Sequence, residues 1–264
     1  MSEDPTILDQ ARRAMEASPD DAGARLRFYE RLADGELFLL LESESDGDSI
    51  TPQVFPMDAG NVVLVFDREE RLAAFLGGPA HFAALSGRHV VRMLAGQGIG
   101  LGVNFGVEGV EIAIPAEAVD WLAETLAHRP EVAEEIPREV SSPGEVPERL
   151  LIGLDAKLAG AAGLARFAYL AGVSYDSGRR GHLLAFIDAL PGAEDSLALA
   201  AGEALTFSGL EAGEIDVAFF AASDAIAGRL AKVGLRFDLP DLPRQEMTEV
   251  KAPGMDPDEP PILH

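Results

Sequence analysis

The sequence contains no cysteine, and this absence excludes disulfide bonds, thiolate nucleophiles and cysteine-ligated metal sites. Lysine is also scarce, since it occurs only at Lys157, Lys232 and Lys251. No apolar run approaches the roughly 18 to 20 residues of a membrane span. The opening residues MSEDPTILDQ have neither the basic nor the apolar region of a secretory signal. We therefore expect a cytoplasmic protein with no membrane partner.

The chain is strongly acidic, with a formal net charge of −24 over 264 residues. Such a charge repels phosphate backbones, so we expect no nucleic-acid partner. Signatures of common enzymes are missing as well, because there is no GxSxG elbow, no HExxH and no histidine pair at i, i+4. The sequence therefore gives no catalytic residue, no metal ligand and no cofactor.

A proline-rich, glutamate-rich segment divides the chain. Residues 131–148, EVAEEIPREVSSPGEVPE, combine three prolines with few apolar side chains, which is typical of a linker. We predict one domain at residues 1–130, a second at 149–242, and an extended tail at 243–264, where repeated prolines exclude a helix or a central strand.

Three strand-turn-helix units recur along the chain. They are VVLVF with ERLAAFL, EIAI with AVDWLAETL, and DVAFF with AIAGRLAKV, and we expect Asp67 and Glu70 to form a capping box in the first. The other predicted elements are helices at 6–17, 19–33, 155–165 and 196–205, strands at 35–42 and 149–154, a hairpin partner for the first strand at 50–55, and a hairpin of 169–175 with 182–190. This order predicts an α+β or α/β protein of two domains, each a mixed sheet packed by helices.

Glycines are concentrated in the stretch MLAGQGIGLGVNFG, at residues 93–106, and they raise the question of a phosphate-binding loop. A dinucleotide fingerprint needs a strand before the glycines and a helix after them, whereas here residues 81–96 look helical and the following segment looks like a strand. Ile99, Leu101, Val103 and Phe105 also alternate with Gly100, Gly102 and Asn104, the period of a strand. We expect a strand whose glycine face lets another element approach closely, with a nucleotide site as the alternative.

One local exception to the acidity is SGRRGH, which places Arg179, Arg180 and His182 at a turn. We take these three residues as a candidate binding patch for an anion or an acidic partner. The alternative is an ordinary hairpin turn with solvated arginines. Trp121 lies beside the apolar stripe of its helix, and we expect it in the core or at the interface between domains.

Four segments carry a family resemblance: LRFYERLADGELFLLLE, VFDREERLAAFLGGP, MLAGQGIGLGVNFGV and IPAEAVDWLAETLA. They resemble the N-terminal domain of the SseB family, the serine-sensitivity-enhancing proteins of bacteria. Residues 150–241 are similar in layout to the C-terminal domain of that family. The resemblance implies a cytoplasmic protein accessory to metabolism and supplies no catalytic residue.

Three functions follow as hypotheses. The first is a non-catalytic interaction or regulatory protein linked to serine metabolism, which docks on a metabolic enzyme and therefore has a protein partner. The second is a small-ligand binder or an enzyme whose site forms only in three dimensions. The third is a component associated with secretion, which the missing amphipathic and apolar stretches disfavour. The oligomeric state does not follow from the sequence.

Overall fold

The computed structural model describes residues 4–44, 49–58, 60–128, 135–209 and 215–240. Within these ranges the chain forms helices and two mixed sheets, so the predicted α+β class is confirmed. The elements up to residue 128 are α1 (Ile7–Ala17), α2 (Ala22–Asp34), β1 (Glu36–Leu40), β2 (Val54–Met57), β3 (Gly60–Phe66), α3 (Glu69–Leu76), β4 (Phe82–Ser86), α4 (Gly87–Leu94), β5 (Ile99–Val103), β6 (Ile112–Ile114) and α5 (Ala116–Ala127). The later elements are β7 (Pro137–Ser141), α6 (Glu148–Ala159), β8 (Phe167–Tyr175), β9 (Arg180–Ile187), α7 (Glu194–Ser208), β10 (Ile215–Phe220), α8 (Ala225–Val233) and β11 (Leu235–Asp238).

Each part of the chain builds one sheet. The first sheet has the order β4-β1-β3-β5-β6, with β2 paired to the start of β3, and only the β3–β5 pair is parallel. The second has the order β10-β9-β8-β11, with β7 paired to β8, and only the β10–β9 pair is parallel. Both sheets are mixed, as expected from helices and hairpins alternating along the chain.

The glycine-rich stretch forms β5, and the strand interpretation is confirmed. Leu101 and Val103 are buried in the main core of the N-terminal region, beneath α2, α4 and α5. On the other face, a Cβ at Gly100 would lie 2.4 Å from the carbonyl oxygen of Ile114, and a Cβ at Gly102 would lie 2.6 Å from Leu64 Cδ2. The glycines therefore allow close packing on that face.

The residues that follow β5 do not continue the predicted alternation of apolar residues with glycine. Phe105 packs in the second cluster of the N-terminal region, with Leu64 and Phe66, and not in the main core. Asn104, in the left-handed region at φ 52°, turns the chain after β5. Its side-chain oxygen accepts a hydrogen bond from the backbone N–H of Asp67 at 3.1 Å.

Two predicted elements were wrong in type. Residues 149–154 belong to α6 and not to a strand, because Leu150, Leu154 and Leu158 recur every four residues and bury one helical face. Residues 82–86, within the predicted helix, form β4 and pair with β1 along its whole length. The helix begins only at Gly87, where Ser86 Oγ accepts from the N–H of His89.

Two smaller expectations also differ, and a third is not tested. The hairpin partner of β1 was wrong, because β1 pairs with β3 and β4 while β2 forms its hairpin with β3; only a bridge between Leu41 and Pro52 joins the segment 50–55 to β1. Residues 137–141 of the predicted linker form β7 on the second sheet. The tail prediction for 243–264 lies outside the described residues.

The predicted capping box of α3 is wrong, because Asp67 is used elsewhere. The N-cap is Arg68, and its side chain makes no capping bond. Asp67 accepts from Arg71 at 2.7 Å and from the hydroxyl of Thr6 at 2.6 Å. Arg71 also donates two hydrogen bonds to Asp9, at 2.9 and 2.6 Å, so this network fastens α1 to α3.

In the described part of the chain, no helix has the length and apolarity to cross a membrane.

Candidate interaction site

An open groove lies between α2 and α5 in the N-terminal region. Five side chains line its volume of about 350 Å³: Arg25, Leu26 and Tyr29 from α2, and Ala118 and Trp121 from α5. The i, i+3 spacing of Leu26 and Tyr29, and of Ala118 and Trp121, sets each pair on one helical face. The groove is therefore built on two rigid elements.

Two aromatic rings form one wall of this groove. The ring centroids of Tyr29 and Trp121 are 5.3 Å apart. The two ring planes meet at 66°, an edge-to-face arrangement. Trp121 is 38% exposed although its neighbour Leu122 is buried in the core. Burial raises the pKa of the Tyr29 phenol, and the charge of Arg25 partly opposes that rise. The groove thus offers an apolar, aromatic surface with a cation at its edge.

The groove lies near the contact between the two regions. Leu26 Cδ1 is 3.6 Å from the place that a Cβ on Gly209 would occupy, at the end of α7. Phe207, from the same helix, is part of the N-terminal core. The C-terminal region therefore supports α2 directly beside the groove.

An ionic cluster joins the two regions under α2. Arg88 donates two bonds to Glu203, at 2.6 and 2.5 Å, and a third to Asp34 at 2.5 Å. Lys157 donates to Asp34 at 2.5 Å and to Glu203 at 3.0 Å, and it lies 3.6 Å from Glu30 Oε1. Three carboxyls and two cations are therefore joined in this cluster.

The pKa shifts differ in direction among the three carboxyls. Burial raises the pKa of Glu30, and the nearby Lys157 only partly offsets it. Burial also acts on Asp34 and Glu203, but Lys157 and Arg88 outweigh it and lower the pKa of both carboxyls. Arg88 and Lys157 thus favour the charged forms of Asp34 and Glu203, which fits a structural interface.

The predicted patch at the β8–β9 hairpin divides into separate environments. Arg179 binds Glu135, donates to Asp216 at 2.9 Å and lies 4.4 Å above the ring of Tyr175. His182 Nε2 lies 2.9 Å from the carbonyl oxygen of Pro143, whereas Arg180 is exposed. Anion binding by Arg179, Arg180 and His182 stays a prediction, although Arg179 already has two carboxylate partners.

A family comparison adds to this geometry. Residues 8–121 match the family model described as the SseB protein N-terminal domain. The match covers less than half of the chain and shows a likeness of residues 8–121 to the SseB N-terminal domain. The matched range contains all five residues that line the groove and ends at Trp121. Comparison with curated proteins and with solved structures gave no match.

The matched range ends before the C-terminal region begins. The likeness of residues 149–242 to the C-terminal domain of the SseB family therefore stays a prediction. Glu30, Asp34 and Arg88 of the ionic cluster lie inside the matched range, whereas Lys157 and Glu203 lie outside it. The interface is thus formed by the matched range and the region that follows it.

Sequence reasoning found only part of the groove. Trp121 was expected in the core or at the interface between domains, but it lies at the groove on the surface of the N-terminal region. Tyr29 and Arg25 were not singled out at all, because nothing in the sequence shows that α2 and α5 lie side by side. The described residues also contain no group of three histidine or acidic side chains that could hold a metal ion.

Proposed function

We propose that this protein is a non-catalytic interaction or regulatory protein of the bacterial cytoplasm, which docks on a metabolic enzyme and is linked to serine metabolism. The resemblance to the SseB family supports the link to serine. The single observation that supports docking is the groove of Arg25, Leu26, Tyr29, Ala118 and Trp121. Tryptophan, tyrosine and arginine are the residues that most often dominate the free energy of binding at protein interfaces.

The charged groups of the described residues support the same function. Carboxyls with lowered pKa values are held by ion pairs: buried Asp9 by Arg71, and exposed Asp34 and buried Glu203 by Arg88 and Lys157. These groups are used in holding elements together. The groove, in contrast, exposes aromatic side chains to solvent. No contact within the fold depends on that exposure.

Affinity capture with matched variants tests this function. The protein, immobilised through a terminal tag, is incubated with bacterial extract as wild type, as Trp121→Ala and as Ile152→Ala. Ile152 is a suitable control because it is 55% exposed on α6, away from the groove. We expect Trp121→Ala to weaken capture of a protein partner roughly 30-fold, the equivalent of about 2 kcal/mol for a hot spot. Equal capture by all three proteins would contradict the proposal.

A small-molecule site at the same groove is the second candidate. Its volume of about 350 Å³ lies at the lower end of the range for ligand pockets. The two candidates differ in what is bound to the purified protein. A metabolite released on denaturation, and absent from Trp121→Ala, favours the ligand site, whereas a protein partner lost in the same variant favours docking.

A further inference from the structure

The chemistry of the groove matches one class of peptide. Tyr29 and Trp121 present ring edges and faces at 66°, with Arg25 on α2 one turn before Tyr29. Aromatic-lined grooves bind proline-rich segments, because such segments are already extended and lose little conformational entropy on binding. An acidic residue beside the prolines would also meet the guanidinium of Arg25.

A segment with this composition lies in the same chain. The described residues end at Pro240, and residues 241–264 follow. Within them, the sequence KAPGMDPDEPPI at 251–262 combines prolines with acidic residues. Its prolines are Pro253, Pro257, Pro260 and Pro261, and its acidic residues are Asp256, Asp258 and Glu259.

The charges of this segment also suit the two sides of the groove. Arg25, on α2, complements the acidic residues around Pro257. On α5, Glu117 and Glu124 lie one turn before and one turn after Trp121, and Lys251 supplies the opposite charge at the other end of the segment. An orientation with Lys251 near α5 and Asp258 near α2 pairs both signs.

The length of chain after Pro240 permits this contact. Pro240 is held by a hydrogen bond from the N–H of Gly163 to its carbonyl oxygen at 2.8 Å. An extended chain spans about 3.3 Å per residue, so the stretch from Pro240 to Lys251 reaches roughly 35 Å. A compact chain of this length has a radius of gyration of about 18 Å, and the reach of the stretch is about twice that radius.

We propose that residues 251–262 bind in the groove of their own chain and compete there with the partner protein. The inference rests on the proposed function, since it takes the groove as a peptide-binding surface. A short tether gives the segment an effective concentration near 1 mM, so an intrinsic dissociation constant of about 0.1 mM would leave the groove roughly nine-tenths occupied. The partner's apparent affinity would then fall about tenfold.

The sequence permits a direct optical test with the full chain. Trp121 is the sole tryptophan and there is no cysteine, so Met255→Cys carries one acceptor dye and Trp121 serves as the one energy donor. We expect efficient energy transfer from Trp121 to the dye. The transfer should fall several-fold when Pro257, Pro260 and Pro261 are all changed to Ala, when Arg25 is changed to Glu, or when unlabelled 251–262 peptide is added in excess.

The controls separate the alternatives. Transfer that none of these three changes lowers would overturn the proposal, since the segment would then lie elsewhere, for example along the groove lined by Val146 and Leu235. Transfer that appears only on mixing donor and acceptor copies would assign the contact to a second copy and overturn binding within one chain. Loss of partner capture in Trp121→Ala, with no peptide-dependent transfer, would retain the proposed function and reject this inference.

Discussion

At the scale of single residues, Asn104 shows how one polar side chain fixes the end of a strand. It is 1% exposed and has a positive φ, which asparagine tolerates better than most residues. We expect Asn104→Ala to destabilise the protein by about 1 to 3 kcal/mol, because the partly buried N–H of Asp67 loses its acceptor. Asn104→Gly relieves the backbone but not the lost bond, so denaturant melts of the two variants separate the two effects. A neutral Asn104→Ala would contradict this role.

Glu30 makes a prediction about pH. Because its pKa is raised above the ordinary 4.5, the folded state binds a proton there that the unfolded state releases. This contribution to stability is fully present below the unfolded pKa and is lost as pH rises through the folded pKa. Glu30→Gln has no carboxyl to ionise, so it does not lose stability as pH rises. The free energy of unfolding of this variant, relative to that of wild type, should increase with pH above 4.5. Urea melts across a pH series measure the difference.

Glu203 gives the matched control for that experiment. It is 5% exposed and accepts bonds from both Arg88 and Lys157. Glu203→Gln leaves these cations short of negative charge and should destabilise by up to about 3 kcal/mol at neutral pH. If Glu30→Gln and Glu203→Gln lose the same free energy of unfolding, the opposite pKa shifts of the two carboxyls are contradicted.

At the scale of helices and strands, periodicity predicted most elements but not their neighbours. The aliphatic runs of β3, β8 and β9 were long enough to identify as strands. In contrast, RLLIGL has the leucine spacing of a helix but also the length of a strand. The structure shows it to be a helix, because the buried leucines at every fourth position continue to Leu158. The pairing of β2 with β3 depends on contacts between elements, which a single sequence does not display.

The crossing of α2 and α4 gives a prediction at this scale. A Cβ on Gly87 would lie 1.8 Å from the carbonyl oxygen of Leu32, so the two backbones meet where α4 begins. Gly87→Ala must push these helices apart, and we expect a loss of about 1 to 3 kcal/mol or more, as for overpacked cores. Gly202→Ala is the control, since a Cβ there meets nothing within 4 Å.

The two variants should therefore change stability in opposite directions. Gly202 lies inside α7, where alanine is favoured over glycine by about 1 kcal/mol. Thermal unfolding of both variants beside the wild type measures the effects. If Gly87→Ala unfolds at the temperature of the wild type, the close approach of α2 and α4 is not required for stability.

At the scale of the whole molecule, the two regions share buried contacts. Phe207 extends from α7 into the N-terminal core, and Lys157 lies 5.7 Å from its ring while it pairs with the carboxyls of α2. Sequence analysis placed the regions separately because a polar, proline-rich segment lies between them. It could not reveal this interface, since an acidic residue on a solvated face and one in a buried ion pair look alike in a sequence.

The groove was hidden for a similar reason. Trp121 was visible as the single tryptophan, but its pairing with Tyr29 depends on how α5 lies against α2. The residues that α2 contributes lie at least 89 positions before those that α5 contributes. Only the packing of the first sheet beneath both helices brings them to one surface.

Site-specific photo-crosslinking in bacterial cells tests most directly whether this groove binds another protein. A photoreactive side chain replaces Arg25, which is exposed at the groove, or in a parallel strain Ile152, which is exposed on α6. The account predicts an intermolecular adduct from position 25 that is absent from position 152 and is lost when Trp121 is changed to Ala. An adduct of the same mass from both positions, or one that persists without Trp121, would contradict it.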